Sequence, residues 1–218
     1  MSSSVQTGSP RAGQRPANAR RRRTHAALLA AARALLEAHG FAALTMAAVA
    51  ERAGVSRAAV YLHFASRSDL VGALFEYVAE TEGLAAAVQP VRAAPDAVAA
   101  LDAWARLEAT YHARILGVAR ALEHVGREDP DAAAWRQRIE LFQRDLCRLI
   151  AQRLADEHRL AAGWTTDTAA DLLWALMATE PLARLLRDCH WTPEQYAARV
   201  AQLLRAAFVA APERLAGP

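Results

Sequence analysis

The sequence contains no lysine and only two cysteines, Cys147 and Cys189, among its 218 residues. Two cysteines are too few for a disulfide framework, which excludes a disulfide-stapled secreted scaffold and favours free thiols. No uninterrupted apolar run reaches the roughly 18 residues of a transmembrane candidate, and the N-terminus lacks a signal-peptide pattern. We therefore expect a soluble, cytoplasmic protein that has no membrane partner.

Strand-like alternation of β-branched or aromatic residues with polar ones is also scarce. The sequence is instead 54% hydrophobic, and much of that fraction is alanine, the strongest helix former. Composition therefore predicts an all-α fold with enough apolar side chains for a sizeable core.

Charge is distributed unevenly along the chain. Residues 1–75 hold ten arginines and three acidic residues, so their net charge is +7, and the total of +3 leaves −4 for residues 76–218. A basic N-terminal part on a mildly acidic body is typical of proteins that bind nucleic acid at one end.

Residues 1–23 are rich in Ser, Gly, Pro and Arg, and this composition predicts a disordered basic arm that ends in Arg20–Arg23. The arm is either a solvated tail or a segment that contacts phosphates or a minor groove. A first helix is expected from Thr24 to His39, with Gly40 ending it, and a second from about Thr45.

Later helices are marked by prolines and capping residues. We expect a break from Gln89 to Pro95, a helix opened by Asp96, and a helix over about 166–189 that is kinked at Pro181. The last helix is expected to begin at Thr192, with Pro193 in its first position and a capping-box pattern.

Residues 45–64, TMAAVAERAGVSRAAVYLHF, fit the demands of a helix-turn-helix. Ala50 is small where two helices would cross, and Gly54 tolerates the positive φ of a tight turn. Ser56 can cap the second helix, and Val60 then points to the core. The spacing alone also fits an ordinary helical hairpin.

The surroundings favour the helix-turn-helix. Upstream lies an amphipathic helix ending in Gly40-Phe41, and downstream follow Tyr61-Leu62-His63-Phe64 and Ser66-Arg67-Ser68-Asp69-Leu70. Over residues 24–74 this order resembles the N-terminal DNA-binding domain of the TetR family. The resemblance implies an all-α fold with a three-helix helix-turn-helix domain at 24–75 and a larger ligand-binding and dimerisation domain at 76–218.

The resemblance also implies roles for individual residues. Arg57 would hydrogen-bond a guanine edge in the major groove or, alternatively, contact a phosphate. Thr45 would hold a phosphate at a helix start. Arg67 stands where the family usually has a phosphate-contacting lysine. The remaining predicted DNA contacts lie on or just after the recognition helix: Ala58, Ala59, Tyr61 and His63.

Family members are homodimers joined through their last two helices, so double-stranded operator DNA and a second copy are the expected macromolecular partners. The apolar strips that would form the dimer seam serve an intramolecular core equally well. They comprise Leu172, Leu173, Leu176, Leu182, Leu185, Leu186, Val200, Leu203, Leu204 and Phe208.

The larger domain holds a second group of candidates, for the wall of a cavity that binds a partly apolar effector. Plain core packing is the alternative for each aromatic member. Glu108 and His112 share a helix face, but two ligands are too few for zinc, so no metal or cofactor is expected. The candidates are Trp104, Glu108, Tyr111, His112, Trp135, Phe142, Trp174 and Met177.

Together these features predict a ligand-responsive repressor that binds a pseudo-palindromic operator as a dimer. The alternative is an activator or DNA-organising protein without a small-molecule ligand. An enzyme is not expected, because the sequence has no phosphate-binding glycine loop, nucleophile elbow or metal-binding spacing.

Overall fold

A computed structural model describes residues 14–123 and 129–211, with side chains from residue 18 onward. These residues form eleven α-helices and, apart from one isolated bridge between Leu160 and Val209, no β-structure. The helices are α1 Gln14–His39, α2 Met46–Arg52, α3 Arg57–Tyr61, α4 Arg67–Thr81, α5 Leu84–Arg92, α6 Ala97–Leu107, α7 Leu116–Glu123, α8 Pro130–Asp156, α9 Thr166–Ala175, α10 Thr179–Ala183 and α11 Pro193–Phe208.

Helix α1 begins ten residues earlier than the predicted start at Thr24, so the predicted disorder of residues 14–23 is wrong. The hydroxyl of Thr24 donates to the carbonyl of Arg20, one turn back, instead of capping a helix start. Arginine and alanine are good helix formers, and the helix continues through them. The rest of the predicted arm, residues 1–13, lies outside the described residues.

The ends of the next helices follow the predicted local signals. Gly40 has φ +76° after the end of α1, and the Thr45 hydroxyl accepts from the Ala48 amide at the start of α2. Asp96 caps α6, and Thr192 and Gln195 form the expected capping box at the start of α11. Such caps depend on neighbours within three residues, which is why the sequence reveals them.

Two predicted breaks are displaced. Pro90 lies inside α5, so the break there covers only 93–95 rather than 89–95. The predicted kinked helix over 166–189 is divided at 176–178, before Pro181, into α9 and α10. The division precedes the proline because Pro181 then lies in the first turn of α10, where its missing N–H would have no acceptor within the helix.

The predicted domain boundary at residue 75 falls in the middle of α4. Buried side chains of α1 to α4 share one core with four residues of the larger domain, namely Val118, Leu122, Ala132 and Trp135. A second core joins α6, α8, α9 and α11 around fully buried Trp104, Ile150 and Phe208. Helix α4 therefore runs from the helix-turn-helix into the body of the protein.

The last helices make intramolecular contacts. Helix α9 packs on α8, and α11 packs on α6. Four residues of the predicted dimer seam are buried inside the chain: Leu173, Leu182, Leu204 and Phe208. Leu172 and Leu203 are exposed, 38% and 59% respectively, and the other four seam residues, Leu176, Leu185, Leu186 and Val200, are half-buried.

No helix in the described parts of the chain combines the length and apolar character that crossing a bilayer requires.

Candidate DNA-binding helix and ligand cavity

Helix α3 is held at a fixed angle to α2 by a glycine turn. Gly54 has φ +66°, and the amide of Val55 donates to the carbonyl of Ala50 across the turn. The Ser56 hydroxyl accepts from the Ala59 amide at 3.2 Å and caps α3. Fully buried Val60 anchors the helix to the core, so its opposite face is turned outward.

The outward face of α3 carries an arginine and a tyrosine one turn apart. Arg57 is exposed, and Tyr61 is 45% exposed. The Arg57 Nη2 donates to the Tyr61 hydroxyl at 3.3 Å, so the two side chains lie together. Ala58 is exposed and Ala59 is half-buried beside them. This is a small surface with one guanidinium, two hydrogen-bonding side chains and room for close approach.

A row of arginines on α1 extends the basic surface. Arg20, Arg21, Arg22 and Arg23 are all exposed on the first turns of α1. Half-buried His63 lies beside His25 of α1, with their ring centroids 5.6 Å apart and the rings tilted by 44°. Burial, His25 and Arg21 lower the pKa of His63, which favours its neutral imidazole. His63 is thus placed between α1 and the end of the helix-turn-helix.

Arg67 has partners that its sequence position did not suggest. Its guanidinium donates to the carbonyls of Leu44 and Phe41, at 2.8 and 3.3 Å, and it stacks over the Phe41 ring. It also pairs with Asp129 at 3.0 Å and Asp131 at 2.6 Å, at the start of α8. A phosphate contact by Arg67 stays a prediction, and it requires some of these bonds to be exchanged.

Between α4, α6, α7, α8 and α9 lies a cavity of about 320 Å³. Its wall is mostly apolar and aromatic, and Arg144 stacks over the Trp174 ring at 3.7 Å. Six predicted effector contacts lie on this wall: Tyr111, His112, Trp135, Phe142, Trp174 and Met177. A cavity of this size and lining suits a small organic molecule.

Two predicted contacts do not line the cavity. Trp104 is fully buried in the core around α6, which is the packing alternative stated for it. Glu108 lies behind His112 and is 2% exposed. Helical spacing alone does not separate the residues that reach the cavity from those that pack behind them.

Helix α4 also contributes to the cavity, which its sequence does not indicate. Phe75 and Val78 lie on its wall, together with Ile115 and Val118 at the start of the α7 region. Phe75 and Val78 belong to the apolar stripe of α4, which only indicates a buried face. A stripe does not reveal whether it packs against side chains or borders an open space.

The polar part of the cavity wall centres on a local irregularity. Residues Glu108–His112 continue α6 as a π-helical turn, a feature that is frequent at functional sites. His112 Nδ1 lies 3.0 Å from Glu108 Oε1. Burial disfavours the charged imidazole, but the Glu108 carboxylate outweighs it and raises the pKa of His112. Burial also raises the pKa of neighbouring Tyr111 to about 12.

Residues 28–74 match the family model of bacterial regulatory proteins, tetR family. The match spans α1 from Leu28, the helix-turn-helix and α4 as far as Leu74. Among curated proteins, none matches the sequence significantly.

Solved structures share the fold over nearly their whole length. A putative TetR-family transcriptional regulator from Rhodococcus sp. has a TM-score of 0.68 at 17% identity, covering 85% of this chain and 98% of that one. NalD, the secondary repressor of the MexAB-OprM multidrug efflux pump in Pseudomonas aeruginosa, has a TM-score of 0.67 at 21% identity, with 91% and 100% covered.

The transcriptional regulator FadR from Bacillus subtilis, in complex with stearoyl-CoA, has a TM-score of 0.65 at 14% identity, with 82% and 96% covered. At identities this low, the three structural similarities establish the fold alone.

Proposed function

We propose that this chain, a TetR-family transcriptional regulator by its N-terminal domain and its fold, is a ligand-responsive repressor that binds a pseudo-palindromic operator as a dimer. The observation that carries the proposal is the placement of α4. Arg67 at its start contacts the backbone of Phe41 and Leu44, just before the helix-turn-helix, and Phe75 and Val78 farther along line the cavity. One rigid element thus touches both the DNA-binding unit and the space for an effector.

The outward face of α3 supports the DNA-binding half of the proposal. Arg57 is the only exposed arginine on that helix, and a guanidinium is the best-matched partner for guanine O6 and N7. Tyr61, Thr45 and the α1 arginines would contact the backbone and fix the register, as most protein–DNA hydrogen bonds do. With one strong base-reading group, the shape of the operator would contribute to specificity.

Dimerisation supplies the second reading head. One helix-turn-helix covers one half-site, and two heads one helical turn apart cover a pseudo-palindrome. Exposed Leu172 on α9 and Leu203 on α11 support a partner contact through the last helices. The buried members of the predicted seam would support the same interface from inside the chain.

Release by the effector would be a shift of population between two dimer conformations. A ligand in the cavity contacts α4 and α8, and α8 begins at the acidic partners of Arg67. If the ligand binds more tightly when these helices move apart, it favours a state with wrongly spaced recognition helices. The complex of the similar protein FadR with stearoyl-CoA supports a ligand in this fold.

Genome-wide footprinting of the purified full-length protein tests the proposal, because it yields the operator and the neighbouring genes. We expect two half-sites related by two-fold symmetry, and a steep loss of affinity with salt. Fluorescence anisotropy with that operator then measures release by compounds that bind the cavity. The proposal fails if compounds shown to bind the cavity leave operator affinity unchanged.

The activator alternative is separated by a different measurement. Transcripts next to the mapped sites should rise when the gene is deleted if the protein represses. A fall in those transcripts would support an activator instead.

A further inference from the structure

The cavity wall contains one unusual polar arrangement, a buried carboxylate that stands behind an imidazole. Glu108 is 2% exposed and is the only charged residue among the buried residues of the described chain. An ionised carboxylate at such depth is costly unless a cation accompanies it. His112, 3.0 Å away, provides that cation when it is protonated.

This arrangement fixes which end of the pair meets the cavity. Glu108 does not reach the wall, whereas His112 lines it and keeps 16% of its side chain exposed. The Nδ1 atom faces Glu108, so Nε2 is the nitrogen left for another partner. Both ring nitrogens of a protonated imidazole carry a hydrogen, so Nε2 can donate to a further partner.

The cavity wall also carries one arginine and two glutamates. Half-buried Arg136 lies on it and donates to the carbonyl of Leu122, so a second positive charge is near. The two acids on the wall, Glu123 and Glu140, are exposed to solvent and are therefore better screened. The less exposed cationic groups on the wall are thus the His112 imidazole and the Arg136 guanidinium, and both lie within an apolar, aromatic surround.

We propose that His112, held by Glu108, is the specificity-determining residue of the cavity and binds an anionic oxygen on an effector whose remaining body is an apolar ring or chain. The inference rests on the proposed function, because it takes the cavity as the effector site. Trp135, Phe142 and Trp174 would pack against the apolar body. The Glu108–His112 pair is neutral as a whole, and the anion meets its positive end.

A matched pair of probes tests the inference directly. 2-Naphthoate and 2-acetylnaphthalene have the same ring system, and only the first carries a negative charge. Calorimetric titration of the full-length protein at pH 6.5 should give an affinity for 2-naphthoate at least about tenfold higher, as expected of a charge-assisted hydrogen bond in an apolar site. Equal affinities for the two probes, or binding of neither, would overturn the inference.

Variants then assign the preference to His112. We expect H112Q to lower the affinity for 2-naphthoate about tenfold and to change that for 2-acetylnaphthalene less than about threefold. Since H112Q leaves Glu108 without its cation, the double variant H112Q/E108Q retains a neutral pair and should lose the preference in the same way. H39Q makes the same substitution at an exposed histidine that does not line the cavity, so it is the matched control and should keep the preference.

A parallel loss of affinity for both probes in H112Q/E108Q would contradict the specificity role, because a general change of cavity shape affects both. Operator anisotropy separates this inference from the proposed function. His112-dependent binding of 2-naphthoate that leaves operator affinity unchanged sustains the inference and counts against release by ligand. Release of the operator by 2-acetylnaphthalene alone sustains the proposed function and overturns the inference.

Discussion

Arg67 and Asp129 form a two-point contact between the first turn of α4 and the N-cap of α8. The two terminal guanidinium nitrogens donate to the two carboxylate oxygens at 3.1 and 3.0 Å. Burial opposes ionisation of Asp129, but Arg67 and two backbone amides outweigh it and lower the pKa of Asp129. The paired geometry links the DNA-binding unit to the helix that forms one side of the cavity.

Replacing Arg67 with alanine should lower the free energy of unfolding by about 1–3 kcal/mol, because two backbone carbonyls and two carboxylates lose their donor. Urea denaturation followed by circular dichroism measures the change. R67K keeps the charge without the forked geometry, so its free energy of unfolding should lie between those of R67A and the natural protein. A stability loss in R67K as large as that in R67A would indicate that the guanidinium geometry contributes everything and the charge nothing.

Replacing Arg57 with alanine should cost about 1–3 kcal/mol of binding at one base position of each half-site and relax specificity there. Arg57 is exposed on α3, so the fold itself should be unaffected. Anisotropy with a panel of single-base operator variants measures the effect, and Y61F controls for the Tyr61 hydroxyl that Arg57 contacts. A uniform loss across the whole panel would assign Arg57 to a phosphate instead.

Gly54→Ala should destabilise the protein by about 1–2 kcal/mol, because φ +66° is strained for a residue with a Cβ. Nothing lies within 4 Å of the added Cβ, so the cost is one of backbone conformation and not of a clash. Gly72, inside α4, has the same free space for an added methyl but an ordinary helical φ. Gly72→Ala should therefore stabilise by about 0.5–1 kcal/mol, and thermal melts of both variants check the opposite signs.

The Glu108–His112 pair should make stability depend on pH. Burial lowers the pKa of His112, but Glu108 outweighs it, so the folded pKa lies above the ordinary 6.5. The pair's contribution is then fully present below pH 6.5 and is lost as the pH rises through the raised folded pKa. The difference in unfolding free energy between the natural protein and H112Q/E108Q, which has no titrating group at either position, should shrink over that window, as measured by urea titrations at several pH values.

A difference between these two proteins that stays constant, or grows with pH, would show that the imidazole is not held as the cation of the pair. The other histidines are common to both proteins, so their titration cancels in the comparison.

Leu203→Arg should weaken self-association, because a charge replaces an apolar side chain that is 59% exposed on α11. Sedimentation equilibrium should show a dissociation constant raised by at least about tenfold. Leu62, 77% exposed after α3, lies away from the last helices, and Leu62→Arg is the matched control. Equal association of L203R and the natural protein would place any dimer contact elsewhere.

Much of the DNA-binding unit is predictable from the sequence because its signals are short in range. The positive φ of Gly40 and Gly54 and the caps formed by Thr45 and Ser56 each depend on residues within a few positions. Charge and amphipathic spacing likewise indicated which end of the chain is basic and which helices have a buried face. The early start of α1 was not predictable, since the compositional signal for disorder competed with the helix propensity of Ala and Arg.

The sequence by itself determined an all-helical chain, the turn that presents Arg57, and the neighbouring placement of Glu108 and His112 one helical turn apart. Only the tertiary structure decided that Arg67 meets Asp129 from 62 residues away, that His112 reaches the cavity while Glu108 does not, and that Trp104 is core. The reason is physical: turns and caps are satisfied by adjacent backbone groups. The surroundings of a buried side chain are instead set by how distant helices pack, which no local pattern encodes.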